Sequence, residues 1–152
     1  RIPNAELLIA GTGDLQSQLE QQVHSLGLRD SIRFLGYVTE VEKAKLLANC
    51  RAFAMPSRNE GFGIVYLEAM RIGRPCLTST EDAGREVVNP PEAGLATELD
   101  RPSTVVNAVC LLLTPGTEGD TWLAAAKRRY EAHFTAPMFQ KRLISALQPL
   151  ND

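Results

Sequence analysis

Residues 57–70 read SRNEGFGIVYLEAM, a polar turn with two glycines that runs into an apolar, helix-like stretch. The preceding residues 52–57, AFAMPS, form a short apolar run that contains a proline near its end, which is typical of a buried strand. Residues 63–73, GIVYLEAMRIG, predict a helix that ends at Gly73. The order strand, glycine turn, helix is typical of a repeating α/β unit.

The same alternation continues on both sides of this stretch. Short connections between alternating strands and helices predict a Rossmann-like α/β fold, with a parallel sheet and helices on both faces. Thr39, with Glu42 three residues on, predicts a capping box. From Pro102 onwards the chain is predicted to be a helical C-terminal tail, and residues 1–152 are predicted to form a single domain. Strands are predicted at residues 5–10, 31–38, 74–79 and 93–99, helices at 14–28, 39–50, 103–114, 119–134 and 136–148, and a loop at 80–92.

Composition narrows the class of protein. The chain is 44% hydrophobic with a formal net charge of -2, which argues against a nucleic-acid partner or an anionic membrane surface. No apolar run approaches the ~20 residues of a membrane helix, and no signal-peptide pattern opens the chain. Cys50, Cys76 and Cys110 are widely spaced, so reduced, buried cysteines in a cytoplasmic protein are expected. His24 and His133 have no second ligand nearby, so no metal site is expected.

Ligands of such sheets bind at the carboxyl ends of the strands, which draws attention to three turns. The first turn contains Gly11 and Gly13, but Gln16 stands where a dinucleotide fingerprint would need its third glycine. A tight turn and a close approach to a ligand both remain open there. The other two turns follow the strands at 52–57 and 74–79.

The turn at 57–63 combines an anion site with carboxylates. Gly61 and Gly63 leave backbone amides near a helix start, a position that favours phosphate, and Arg58 would add a cation. Carboxylates repel phosphate but accept hydrogen bonds from sugar hydroxyls, so Glu60 and Glu68 would bracket a phosphate with a sugar on each side. That combination predicts a nucleotide-sugar. The alternative is a helix-start Glu60 favoured by the dipole and a solvated Glu68.

The stretch PSRNEGFGIVYLEAM, residues 56–70, resembles the E-x7-E motif of retaining glycosyltransferases with the two-domain GT-B fold, in particular glycosyltransferase family 4. The resemblance extends over residues 3–148 to the C-terminal, donor-binding domain of that family. It implies one half of a GT-B fold that binds a nucleotide-diphosphate sugar as substrate and transfers the sugar to a hydroxyl acceptor. It also implies no cofactor and no metal.

The resemblance assigns a role to each candidate residue. Glu60 would lie by the hydroxyls of the donor sugar as the catalytic candidate, and Glu68 would bind the ribose hydroxyls. The other donor-binding residues are the amides of Gly61, Phe62, Gly63 and Ile64 at the sugar and diphosphate, Val65 near the ribose, Gly11 and Gly13 on the nucleotide side, and the Tyr37 and Val38 backbone at the base.

The sequence also departs from the pattern that it resembles. The family's first strand of this domain, whose Arg and Lys neutralise the diphosphate, is not in this sequence, and neither is the N-terminal acceptor domain. We therefore expect the chain alone to be inactive, and any membrane association to lie in the missing part. Strands 5–10 and 52–55 would then pair directly, or another element would fill the gap.

Two other functions remain open at this stage. One is a nucleotide-sugar epimerase of the same architecture, against which the E-x7-E spacing argues. The other is a non-catalytic nucleotide- or sugar-binding module. The stretch EDAGREVV, residues 81–88, is less glycine-rich than in the family, which leaves its role with the donor open.

Overall fold

The computed structural model describes residues 2–116 and 118–147. Parallel strands alternate with helices, as the sequence predicts, and the chain divides into two compact units, Arg1–Asn49 and Cys50–Asp152. The strands form two sheets, one in each unit. Pairing of the strand at 5–10 with the strand at 52–55, which the sequence left open, is not found among the described strands.

The first unit is a parallel strand pair with two helices. The apolar run AELLIAG at residues 5–11 is typical of a short buried strand, but Leu7 and Leu8 are 48% and 36% exposed. The reason is that a unit of two strands and two ten-residue helices has too few layers to cover both faces of a strand. Its elements are β1 (Leu7–Ala10), α1 (Gln16–Ser25), β2 (Ile32–Gly36) and α2 (Glu40–Asn49).

The predicted capping box at the start of α2 is confirmed. The Thr39 amide donates to the Glu42 carboxylate at 2.8 Å, and the Glu42 amide donates to the Thr39 hydroxyl oxygen at 3.3 Å. The Thr39 hydroxyl also donates to the Glu42 carboxylate, at 2.7 Å. The hydrogen bonds from the Thr39 amide and hydroxyl favour the charged carboxylate and lower the pKa of Glu42. The first turn of α2 is therefore fixed by its own sequence.

The second unit contains a three-stranded parallel sheet and five helices in the described residues. The strand predicted at 52–57 is two residues long, and the predicted 80–92 loop contains a helix that buries Val87 and Val88. Residue 148, the last of the predicted final helix, lies outside the described residues. The elements are β3 (Phe53–Ala54), α3 (Ile64–Arg71), β4 (Cys76–Ser79), α4 (Gly84–Val88), β5 (Gly94–Thr97), α5 (Pro102–Leu113), α6 (Glu118–His133) and α7 (Ala136–Leu147).

The central strand of this sheet, β4, is buried on both faces. The strand order is β3-β4-β5, and all four residues of β4 are buried. Side chains alternate across a strand, so Leu77 enters one core while Cys76 and Thr78 face Tyr66 of α3. α5 packs against β5, and α6 packs against α3 and α5, so the helical C-terminal segment belongs to the layers of this unit. The core around Leu77 contains Ala108, Leu112 and Trp122.

Candidate functional site

The turn before α3 is shaped by Gly63. This glycine is the N-cap of α3 with φ +76°, and in the described part of the chain no side chain caps this end of the helix. The backbone amides at the start of α3 are therefore left for a ligand or for water. The Glu60 carboxylate folds back over the turn, where it accepts a hydrogen bond from the Phe62 amide at 3.4 Å.

The turn lies directly on the ring of Tyr66. A Cβ added at Gly63 would lie 2.4 Å and 2.6 Å from two ring carbons of Tyr66, closer than atoms approach without displacement. Tyr66 is fully buried, and its hydroxyl donates to the Met55 carbonyl at 2.5 Å. Burial raises the pKa of Tyr66 to about 12, so the phenol is a neutral hydrogen-bond donor. Tyr66 thus connects the turn to the end of β3.

A buried carboxylate joins the ends of the two neighbouring strands. Asp82 accepts hydrogen bonds from the Ser57 amide at 3.2 Å, the Ser57 hydroxyl at 2.9 Å and the Thr78 hydroxyl at 2.8 Å. The Ser79 hydroxyl also donates to the Ser57 carbonyl at 2.5 Å. Ser57 begins the turn that carries Glu60, so this network fixes the base of the turn against β4.

The beginning of α4 packs against the same Tyr66 and Asp82 that lie beneath the turn. A Cβ added at Gly84 would lie 2.3 Å from a Tyr66 ring carbon and 2.8 Å from Asp82 Oδ1. The Ala83 amide donates to the Glu60 carbonyl at 3.3 Å. The loops that follow β3 and β4 are consequently in direct contact. The stretch at residues 81–88, although less glycine-rich than in the family, has Gly84 where this packing requires a glycine.

Arg58 already has two acidic partners. Its guanidinium donates to Glu81 and to Asp100, each at 2.6 Å. These carboxylates, Asp100 first, raise the pKa of Arg58. The sequence predicts that Arg58 supports a diphosphate. This role of Arg58 stays a prediction. It requires the guanidinium to release at least one of its two carboxylate partners and to bind a phosphate instead.

The structure places the predicted site residues in two groups, one in each unit. In the second unit, Glu60 and Glu68 are half-buried, the former in the turn and the latter on α3. In the first unit, the Gly11 amide donates to the Gly36 carbonyl at 2.7 Å, so the chain segments that follow β1 and β2 begin side by side. The other predicted residues are Gly61, Phe62, Gly63, Ile64 and Val65 in the turn and first turn of α3, and Gly13, Tyr37 and Val38 after the strands of the first unit.

The residues beneath the turn were not predicted from the sequence. Tyr66 was counted as part of an apolar helix, and Asp82 lay in a segment predicted to be irregular. The rule that ligand sites lie at carboxyl ends of parallel strands would have drawn attention to Ser57, Thr78 and Ser79.

Two negative observations apply to the described residues. Between residues 2 and 147, leaving out 117, no three His, Cys, Asp or Glu side chains are grouped to hold a metal ion. In the same residues no helix combines the length and the apolarity needed to span a membrane.

Curated relatives of this chain are enzymes of sugar transfer. The phosphatidyl-myo-inositol mannosyltransferase of Mycobacterium leprae is 35% identical over 132 residues, which are 84% of this chain and 34% of the relative. The D-rhamnosyltransferase WbpZ of Pseudomonas aeruginosa is 34% identical over 133 residues, which are 86% of this chain and 35% of the relative. The chain therefore spans about a third of the length of these relatives.

Solved structures and a sequence family agree with these relatives. The structure of Anabaena Alr3699/HepE in complex with UDP and glucose matches with a TM-score of 0.84 at 23% identity, over 96% of this chain and 41% of that chain. WaaG, a glycosyltransferase involved in lipopolysaccharide biosynthesis, matches with a TM-score of 0.75 at 19% identity, over 95% and 38%. These matches confirm the predicted GT-B fold class. The family described as glycosyl transferases group 1 matches residues 1–129, and the chain belongs to this family.

Proposed function

We propose that this chain is the donor-binding part of a retaining glycosyltransferase, which moves a sugar from a nucleotide-diphosphate sugar to a hydroxyl acceptor. The observation that carries the proposal is the turn before α3. Its glycine N-cap leaves the helix amides without a side-chain cap among the described residues, and Glu60 and Glu68 stand on either side of it.

The start of α3 is suited to the diphosphate. A helix N-terminus carries about half a positive charge and up to four unpaired amide donors. Gly63 has no side chain to hold a phosphate away from these amides. During transfer the bond between the sugar C1 and the diphosphate oxygen breaks, a bond from C1 to the acceptor oxygen forms, and the proton of the acceptor hydroxyl passes to the leaving diphosphate. Fixed amide dipoles would stabilise the charge that develops on the leaving diphosphate.

The two glutamates are suited to the sugar at either end of the donor. The Glu60 carboxylate is held over the turn by the Phe62 amide, from where it would accept hydrogen bonds from the transferred sugar. Glu68, eight residues further on, would bind the ribose hydroxyls. We propose that Gly11, Gly13 and the backbone of Tyr37 and Val38 bind the nucleoside.

Named relatives support the class of donor. Anabaena HepE was solved in complex with UDP-glucose, and a mannosyltransferase of Corynebacterium glutamicum, 31% identical over 96% of this chain and 39% of its own length, is named as GDP-mannose-dependent. Because the chain spans about a third of its relatives, we propose that the acceptor site lies outside these 152 residues and that the chain alone is inactive. We also propose donor binding without a metal and a cytoplasmic location, the latter supported by Cys50, Cys76 and Cys110, which form no disulfide with one another.

Isothermal titration of this chain against UDP, GDP, ADP, UDP-glucose and GDP-mannose tests the proposal. We expect one base to be preferred, and Glu68→Ala and Glu68→Gln to weaken binding about tenfold or more, because hydrogen bonds to a charged group contribute about 1.5–3 kcal/mol. Glu131→Ala, at an exposed position on α6, is the matched control. Binding that is unaffected by both Glu68 variants would contradict the assignment.

Two further results would contradict other parts of the proposal. Sugar transfer by the 152-residue chain alone would refute its inactivity. Donor binding without transfer to any acceptor by the longer protein that contains this chain would favour a non-catalytic binding module.

A further inference from the structure

Phe62, in the middle of the turn, packs against an aromatic residue that is distant in the sequence. Its side chain is 48% exposed, and its ring meets the ring of Phe134 edge to face, with centroids 6.4 Å apart at 70°. Edge-to-face pairs at such distances are attractive beyond their buried area. Phe134 directly follows α6, so the end of this helix contacts the turn.

Phe134 is itself held by Arg129 of α6. The Arg129 guanidinium lies over the Phe134 ring, 5.6 Å from its centroid. The same guanidinium donates to the Val87 carbonyl at 2.7 Å and the Glu86 carbonyl at 2.8 Å, at the end of α4, and pairs with Glu92 at 2.9 Å. Only 12% of the Arg129 side chain is exposed. The cation therefore anchors Phe134 to the helix that follows β4.

We infer that Phe134 is a positioning residue for the donor-binding turn, with Arg129 as its anchor. The Phe62 amide is the group that hydrogen-bonds the Glu60 carboxylate. Fixing the Phe62 ring therefore fixes both an amide of the turn and the orientation of Glu60. Through these contacts, Phe134 and Arg129 fix the position of the loop after β3 relative to the helix after β4. The inference rests on the proposed function only for its effect on donor binding.

The test uses Phe134→Leu, which keeps an apolar side chain but removes the ring, and Phe134→Tyr, which keeps the ring. Phe139→Ala, at a 66% exposed position on α7, is the control. The first measurement follows the backbone amide NMR signals of Phe62 and Gly63 in the full chain without ligand. The second is the affinity for UDP-glucose and GDP-mannose, well below the unfolding temperature of each variant.

We expect Phe134→Leu to shift both amide signals and to weaken nucleotide-sugar binding about two- to tenfold, the range that an edge-to-face pair contributes. Phe134→Tyr should retain both properties, and Phe139→Ala should change neither. Combining Phe62→Leu with Phe134→Leu should weaken binding no more than the larger single effect, because the two rings act as one unit.

The outcomes separate this inference from the proposed function. If Phe134→Leu lowers the unfolding temperature but leaves the amide signals and the affinity at wild-type values, Phe134 is structural and the inference is overturned. If the wild-type chain binds no nucleotide-sugar, the proposed function fails, and the amide signals alone decide whether Phe134 positions the turn.

Discussion

Replacing Gly63 with alanine tests how closely the donor-binding turn is seated on Tyr66. Two costs add at this position. The first is conformational, since φ is +76° and an L side chain in this region costs about 1–2 kcal/mol. The second is steric, because the new Cβ would lie 2.4 Å from the Tyr66 ring.

Moving the Tyr66 ring away from the new Cβ would cost free energy. Tyr66 is fully buried, and its hydroxyl is fixed to the Met55 carbonyl at 2.5 Å. Overpacking at such a site costs about 1–3 kcal/mol. We therefore expect Gly63→Ala to lower the free energy of unfolding by about 2–5 kcal/mol, the sum of both costs.

Two other glycines of the same unit separate these costs. At Gly116 φ is +73° and no atom lies within 4 Å of an added Cβ, so Gly116→Ala should show the conformational cost alone, about 1–2 kcal/mol. Gly61 has open space and no positive φ, so Gly61→Ala should change stability by no more than about 0.5 kcal/mol. Equilibrium urea unfolding, followed by the fluorescence of the single, buried Trp122 in this unit, measures all three.

The order of the three variants decides the outcome. If Gly63→Ala loses no more free energy of unfolding than Gly116→Ala, the turn is not in contact with Tyr66 as described. The amides at the start of α3 would then not be held rigidly in place by Tyr66.

Three further predictions concern the network below the turn and the capping box. Asp82→Ala leaves three hydrogen-bond donors without their acceptor and should lower the free energy of unfolding by about 1–3 kcal/mol. Asp100→Ala, at an exposed carboxylate, should stay near wild type. Equal midpoints of urea unfolding for the two variants would contradict this. Because burial raises the pKa of Tyr66 from 10 to about 12, the free energy of unfolding of the wild type should fall as the pH rises through that interval. Urea unfolding of Tyr66→Phe should show a smaller fall. Parallel plots of unfolding free energy against pH for the two proteins would contradict this. Because hydrogen bonds from the Thr39 amide and hydroxyl lower the pKa of Glu42, the contribution of the Glu42 carboxylate to stability is present above pH 4.5 and is lost as the pH falls through the lowered pKa. Circular dichroism should show this loss in wild type, a smaller loss in Thr39→Ala, which keeps the amide but not the hydroxyl, and none in Glu42→Gln; equal losses in all three would contradict it.

Local patterns were sufficient to predict the order of the elements apart from α4. Apolar periodicity and glycine positions predicted the strand–turn–helix units, and the capping box predicted the start of α2. Burial could not be predicted in the same way. Leu7 and Leu8 are apolar, but their exposure depends on how many layers cover β1. α4 was missed because it is only five residues long and its polar and proline-containing flanks conceal the buried Val87 and Val88.

The candidate site was predicted where its chemistry lies within one stretch of sequence. The turn, its glycines and the positions of Glu60 and Glu68 all fall within residues 57–70. The supports of the turn come from elsewhere in the chain. Asp82 is 25 positions away from Ser57, and Phe134 contacts Phe62 through a fold that no local pattern encodes.

The central claim is that the amides at the start of α3 bind the diphosphate of a nucleotide-sugar. Amide NMR of the full chain, titrated with UDP or GDP and in parallel with uridine or guanosine, tests this claim most directly. We expect the diphosphate, and not the nucleoside, to shift the amide signals of Gly63, Ile64 and Val65. Saturation with the diphosphate that leaves these three signals unchanged, or equal shifts with the nucleoside, would contradict it.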